Sequence, residues 1–303
     1  MYNTDMANQL TNNVFDTALI FEGGGMRASY TCAVANVLIE NGIFFDNVYG
    51  LSAGASNTVN YVSRDTDRIR RSFVELVEDP NFGGIDTFLQ HKGYFSAEYI
   101  YQEAGLPGQF LPFDFETFCA NPAKVTIESF ARDTGESVYW TKDDMPTLPD
   151  LMIRVRASST LPFVMPAPNV DGEFFYDGGL GEGAGFLLPR AKRDGFTRFF
   201  IVRTRPREYR KQIPHGLANS LVNTSLWGRP HVVKALNDRW WKYNQMCDEI
   251  ERLEQAGQAY VFYAKGMDVS SAETDFSKLA ASYEMGYAQA QEELPKMKAF
   301  LGL

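Results

Sequence analysis

Two short apolar runs that each end on glycine, with one helix-length segment between them, constrain this chain more than any other feature. Residues 17–21 (TALIF) are strand formers that stop at Gly23-Gly24-Gly25. Residues 28–40 (ASYTCAVANVLIE) place Val34, Val37 and Leu38 at helical spacing, and Asn41-Gly42 supplies a C-terminal stop. The run IFFDNVYG then ends at Gly50. Strand, glycine turn, helix and strand within about 30 residues make a β-α-β unit, and its right-handed crossover sets the two strands parallel and adjacent.

At 303 residues the chain exceeds the ~200–250 that a single α/β unit often spans, so one large domain with an extension is expected. With 45% hydrophobic, 22% charged and 14% aromatic residues, it can fill a sizeable core and is neither disordered nor fibrous. After Ser52, the stretch AGASNTVNYVSRDTDRIRRSFVELVED reads as one or two helices, with charges opposite Ile69, Phe73 and Leu76. Residues 81–118 hold ten aromatic side chains in 38 positions, broken by Gly and Pro. They read as an irregular insertion, either a satellite core under a long loop or a wall of an apolar pocket. AKVTIESFARD and ESVYW flank Thr134-Gly135 as a hairpin, and 172–177 and 196–204 are further strands. From about 220 the pattern turns helical, and no internal repeat or low-complexity tract interrupts it. The expected organisation is a polar segment 1–16, an α/β domain 17–211 containing the insertion 81–118, and a helical extension 212–303 packed on it.

The net charge of −9 argues against a nucleic-acid partner, because neutralising phosphates takes a surplus of Lys and Arg. Cys32, Cys119 and Cys247 are odd in number, far apart and without a C-x-x-C pair, which fits a reducing, cytoplasmic setting and not a disulfide framework or zinc cluster. The N-terminus lacks the basic stretch and apolar run of a secretory signal, and no segment reaches the ~18–20 apolar residues of a spanning helix. Neither a metal nor a cofactor is expected, since no His/Asp/Glu cluster has ligand spacing.

Three motifs carry chemistry. Gly50-Leu51-Ser52-Ala53-Gly54 is a G-x-S-x-G whose small flanking residues let a strand turn sharply into a helix, projecting a serine hydroxyl over the helix N-terminus. The pattern alone is weak, and a plain serine helix cap is its bland reading. An apolar strand before it and a helix after it supply the context the nucleophile reading requires. Gly23-Gly24-Gly25-Met26-Arg27 leaves backbone N–H groups bare at a strand-to-helix junction, which suits a negative charge. A dinucleotide fingerprint would need glycine where Ala28 stands, and a phosphate loop would need a Gly-Lys-Ser/Thr ending that is absent. Arg27 is either a structural ion-pair partner or a support for the loop or for an anionic substrate group. Tyr176-Asp177-Gly178-Gly179 sets an acid at a strand end before a tight turn, at the sheet edge where open α/β folds place active sites. Taken alone it is an ordinary Asp-Gly turn.

In this order the three motifs resemble the patatin-like phospholipase family, whose pattern is a Gly-Gly-Gly-x-Arg/Lys loop, a Gly-x-Ser-x-Gly elbow and an Asp-Gly-Gly or Asp-Gly-Ala turn. The similarity runs from about residue 19 to 205 and takes in SSTLPFVMPAPNVDGEFFYDGG, which looks like the family's Ser-x-x-x-Pro run leading to its catalytic Asp. The bacterial branch with F-D-x-V-x-G-x-S-A-G-A and a helical C-terminal extension is most similar. The resemblance implies a three-layer, open, mostly parallel sheet with helices on both faces. It further implies a Ser52–Asp177 dyad acting on lipid esters through an acyl-serine, an oxyanion and substrate site from Gly23, Gly24, Gly25, Arg27 and Ala53, and motif glycines at Gly50, Gly54, Gly178 and Gly179. Ala28 departs from the glycine many members carry, with an expected effect on packing more than on the donors.

The difficulty is the base, because an ordinary Asp near pKa ~3.9 matches a hydroxyl nucleophile less well than a His near ~6.5. His215 and His231 follow Asp177 in Ser…Asp…His order, so a His-dependent α/β-hydrolase is the alternative enzyme, although both lie in a stretch read as polar linker or helix. A non-catalytic lipid- or acyl-binding module is the alternative outside enzymes. The cluster Arg203, Arg205, Arg207, Arg210 and Lys211 reads either as a solvated loop or as a face toward anionic headgroups. Trp227, Trp240 and Trp241 read as core packing or as a transient membrane contact.

Overall fold

The computed structural model describes residues 10–83, 95–214 and 224–303. The expected opening unit forms as β1 (Thr17–Phe21), α1 (Ala28–Glu40) and β2 (Asn47–Leu51), and the two strands pair in parallel with Leu19 opposite Val48. The following segment splits into α2 (Ala53–Val62) and α3 (Thr66–Val74), the second capped by Asp65, whose carboxylate accepts from Arg68 N. Next come α4 (Phe115–Ala120), the hairpin β3 (Lys124–Ala131) and β4 (Ser137–Trp140), and α5 (Leu148–Ser159) behind a Thr147/Asp150 capping box. The short β5 (Asn169–Val170), β6 (Glu173–Asp177), α6 (Leu188–Arg193) and β7 (Arg198–Arg203) complete the expected α/β pattern.

The C-terminal region is two long helices, α7 (Pro230–Gln255) and α8 (Phe276–Leu301), separated by β8 (Ala259–Tyr263). Reading that region as helical passes over β8, a five-residue AYVFY run that joins the main sheet alongside β7. The sheet has eight strands in the order β5-β6-β3-β2-β1-β7-β8, with β4 also on β3; β3, β2, β1, β7 and β8 are parallel, β4 and β6 pair antiparallel with β3, and β5 pairs antiparallel with β6.

Every residue of β1 is buried, as a strand covered on both faces must be. Leu19 and Phe21 point into a core shared with α1, α2, α3, α5 and α8. Ala18 and Ile20 point the other way, into a core shared with α6 and α7. Helices therefore flank the sheet on both sides, as the family resemblance implied. Among the described residues, no helix is long and apolar enough to cross a membrane.

The register of β3 positions the site. Glu128 pairs with Leu51 of β2 and with Tyr139 of β4, and Ser129 pairs with Asp177 of β6 and with Val138 of β4. A strand residue has one neighbour on each edge, so β2 and β6 both lie on the edge of β3 away from β4. They run toward each other along that edge and end on neighbouring rungs, Leu51 opposite Glu128 and Asp177 opposite Ser129.

Candidate active site

Ser52 occupies the one-residue step between β2 and α2 with φ 55° and ψ −132°, a conformation rare for a residue with a side chain. The flanking glycines are dictated by contact: a Cβ on Gly50 would lie 2.2 Å from the Gly54 carbonyl oxygen, and one on Gly54 would lie 2.3 Å from that of Phe21. The turn is anchored from α5, where Ser52 N donates to the Ser158 carbonyl at 3.1 Å and to its Oγ at 2.9 Å. Ser158 Oγ in turn donates to the Glu128 carbonyl at 2.6 Å. Ser158 opens the Ser-x-x-x-Pro run, so that run braces the elbow.

Asp177 ends β6, is 2% exposed, and meets the elbow head-on across the β2–β6 junction. Its N donates to the Thr160 carbonyl at 2.7 Å, and its Oδ1 accepts from Gly179 N at 2.7 Å. Burial raises its pKa above the usual carboxylate range, while the Arg239 charge, the nearby Ser52 hydroxyl, the Gly179 N–H and Lys211 pull in the opposite direction. A dry Asp with a raised pKa is a better proton acceptor from a hydroxyl than an ordinary one. That environment answers the mismatch posed by the residue type alone.

The glycine loop runs along the other side of Ser52. Gly23 N donates to the Gly185 carbonyl at 3.2 Å and Met26 N to the Ser271 carbonyl at 3.1 Å. Among the described residues, the N–H groups of Gly24 and Gly25 have no acceptor. Gly25 has φ +57°, and a Cβ there would lie 2.3 Å from the Ser271 oxygen, so the loop conformation requires glycine. Ala28 is wholly buried at the start of α1, in keeping with a packing role. Arg27 makes no ion pair among the described residues; it lines the cavity, and burial followed by the Arg205 charge lowers its pKa.

Ser52, Asp177, the three loop glycines, Arg27 and Ala53 share one cavity of about 290 Å³. One wall is apolar, with Phe73, Leu151, Met152 and Val155 from α3 and α5 and Phe82, Phe95 and Phe113 from the aromatic insertion. Part of the insertion therefore forms pocket wall, while Phe115 and Phe118 pack into the core; residues 84–94, with Phe88, His91 and Tyr94, fall outside the described part. Arg205, Lys211, Arg239 and Tyr243 also line the cavity. Sequence reasoning did not single out Arg239, Tyr243 or Glu22. Nothing local marks them: Arg239 is one charge among many on a long helix.

The basic cluster divides. Arg203 is fully buried and donates to Tyr243 OH and Cys247 Sγ. Arg207 pairs with Glu254, and Arg210 with Asp248 and Glu251, on the outer surface of α7. Only Arg205 and Lys211 of the cluster reach the cavity. His231 is exposed at the start of α7 beside Gly135, in a separate shallow depression with Ser137 and Lys234, and does not line the Ser52 cavity. His215 lies outside the described residues. Trp227 is 89% exposed and Trp241 37%, so neither is a core residue. Among the described residues, no cluster of His, Cys, Asp or Glu could hold a metal ion.

The sequence model of the patatin-like phospholipase family matches residues 19–188, more than half of the chain. The chain belongs to that family of lipid acyl hydrolases. Residues 229–302 match a second model, described as a domain of unknown function, DUF6363. No curated protein matches the chain. Among solved structures, the crystal structure of VipD from Legionella pneumophila superposes with a TM-score of 0.49 at 12% identity, over 93% of this chain and 67% of that one.

Proposed function

We propose that the protein is a serine acyl hydrolase that cleaves fatty-acyl esters of phospholipids or lysophospholipids with a Ser52–Asp177 dyad. The observation that carries this reading is the end-to-end meeting of β2 and β6 on one edge of β3, which sets a serine at positive φ against a buried aspartate. Ser52 Oγ attacks the ester carbonyl carbon as its proton passes to Asp177. The charge that develops on the carbonyl oxygen is met by the Gly24 and Gly25 N–H groups, with Ala53 N at the start of α2. Collapse expels the alcohol, which takes the proton from Asp177 and leaves an acyl-serine. Water then attacks the acyl carbon, giving a proton to Asp177, which passes it to Ser52 Oγ as the acyl–Oγ bond breaks and the fatty acid leaves. The apolar wall from α3, α5 and the insertion holds the acyl chain.

On this reading residues 17–211 are the catalytic unit and 212–303 serve it. Three free cysteines fit a reducing cytoplasmic setting, and transient membrane contact falls to local patches that include Trp227.

A fluorophosphonate probe tests the nucleophile: it should label the wild type at Ser52 and fail on Ser52→Ala. Asp177→Asn should lose at least about three orders of magnitude in esterase activity, as loss of a catalytic acid–base partner does. No adduct on the wild type would favour a non-catalytic acyl-binding module. Full activity in Asp177→Asn, or its abolition by His215→Ala or His231→Ala, would favour a His-dependent enzyme.

A further inference from the structure

We infer that the C-terminal region completes the catalytic cavity with a phosphate subsite, formed by Arg205, Lys211 and Arg239, that selects acyl esters carrying an anionic phosphate headgroup. This rests on the acyl-hydrolase reading and assigns a role to the region of unknown function, since Arg239 lies in α7 within residues 229–302.

The first ground is unbalanced charge. In a chain of net charge −9, the neighbouring Arg207 and Arg210 both find carboxylates, yet among the described residues Arg205, Lys211 and Arg239 form no ion pair. Two carboxylates face them, Asp177 and Glu22. Asp177 is reserved for Ser52 in the proposed mechanism. Glu22 is already engaged, its Oε1 accepting from Tyr243 OH at 2.6 Å and its Oε2 from Thr204 N at 2.5 Å. With Arg27 and Arg68, five cations therefore share one cavity with two occupied acids.

The second ground is that these side chains are held ready. Arg239 lies against Gly179, where a Cβ would come within 2.6 Å of its Nη2, and its buried Nε has no hydrogen-bond partner. Lys211 Nζ sits 4.5 Å from the centre of the Tyr243 ring, and the Arg205 guanidinium 4.2 Å from that of Tyr209. Burial, and then the like charges of Arg239, Arg27 and Arg205, push the Lys211 pKa down to about 7 despite the opposing pull of Glu22. Like charges crowded in a desolvated pocket are unfavourable until an anion enters.

Two guanidinium forks and an ammonium offer more donors than a carboxylate's two oxygens can use, and they suit the oxygens of a phosphate. The cavity is polarised accordingly. Its apolar wall comes from the α3 and α5 side of the sheet, where Arg68 donates to Asn60 Oδ1 and to the Leu111 carbonyl, and the three cations of the subsite come from α7 and the segment after β7, with Ser52 lining the same cavity. An acyl chain on the first side leaves the phosphate of a glycerol ester on the second.

The test uses the full-length protein and three lipids with one acyl chain: lysophosphatidic acid, lysophosphatidylcholine and a monoacylglycerol. The expected order of kcat/KM is lysophosphatidic acid first, at least tenfold above monoacylglycerol, with inorganic phosphate competing against monoacylglycerol. Arg239→Gln and Lys211→Met should each lower the ratio of lysophosphatidic acid to monoacylglycerol at least tenfold, and Arg239→Lys should recover part of it. The ratio cancels any effect of the lost charge on Asp177. Arg205→Gln gives a second readout should the Arg239 and Lys211 variants fold poorly. Turnover of all three lipids at one rate, in a wild type insensitive to phosphate, overturns the subsite and leaves the hydrolase standing. Phosphate competition without lipid preference means free phosphate is the ligand and overturns the headgroup assignment. Should no ester be cleaved, the hydrolase reading fails, and the subsite stands or falls on whether the wild type, unlike Lys211→Met, broadens the phosphorus resonance of inorganic phosphate.

Discussion

Beside Ser52 and Asp177, Glu128 shows how strongly position overrides residue type. It is fully buried in β3, accepts from Ser137 Oγ at 2.6 Å, and has no partner for its Oε2. Burial pushes its pKa up to about 8, so the native protein holds this proton through neutral pH. An unfolded glutamate gives up its proton near ~4.3. Between those values the folded state binds more protons, so Glu128's contribution to stability is full below the lower value and is lost as pH rises through about 8. Thermal melts of wild type and Glu128→Gln from pH 5 to pH 9 should show the variant gaining steadily on the wild type. Parallel curves would mean that Glu128 is not protonated in the native state. On the proposed mechanism, the raised pKa of Asp177 should set the acid limb of a kcat/KM profile above the range of a free aspartate.

At the scale of elements, the glycine loop is braced from far along the chain. Ser271, just before α8, accepts from Met26 N, and α8 packs on α1 through hydrogen bonds from Ser29 to Ser282 and from Asn36 to Tyr283. The closest approach is at Gly286, where a Cβ would lie 2.1 Å from the Tyr30 carbonyl oxygen. Gly286→Ala has to push the helices apart and should cost about 1–3 kcal/mol, the usual range for overpacking. Because the brace reaches the loop through the same segment, kcat should fall together with Tm; a variant of wild-type stability would show that the α1–α8 contact yields freely. The β1-α1-β2 unit, the β3–β4 hairpin, β6 and β7 were all legible in the sequence, since period and glycine stops are properties of neighbouring residues. β8 was not, because five residues between two long helices carry too little pattern to announce a sheet partner 60 positions back.

Over the whole molecule, the C-terminal region is built into the sheet and is not a separate cap. β8 pairs with β7 over five residues, and Tyr243, Cys247, Ile250 and Leu253 of α7 cover one face of β1 and β7. Burying side chains of this kind stabilises a fold by about 1.5–3 kcal/mol each for the larger apolar ones, against a net stability of about 5–15 kcal/mol. A chain ending at residue 211 should therefore show no cooperative melt and no fluorophosphonate labelling. A soluble truncation labelled at the full-length rate would show that the catalytic unit stands alone. The net charge of −9 also looks different at this scale, since the cavity gathers more cations than the two acids, Glu22 and Asp177, that line it.

What the sequence determined by itself is what contiguous residues can encode: a parallel β-α-β start, a serine at a glycine-flanked elbow, a bare glycine loop, an aspartate at a strand end. Each follows from local sterics and hydrophobic period, and so was readable without a partner. The tertiary structure decided which of these meet. Ser52 faces Asp177 because β2 and β6 share one edge of β3, a matter of strand register between distant segments. Lys211 and Arg239 become cavity groups, while Arg207 and Arg210 become surface ion pairs, only because α7 docks where it does. A side chain's charge is written in its residue type, but its solvation and its neighbours exist only once the chain has packed.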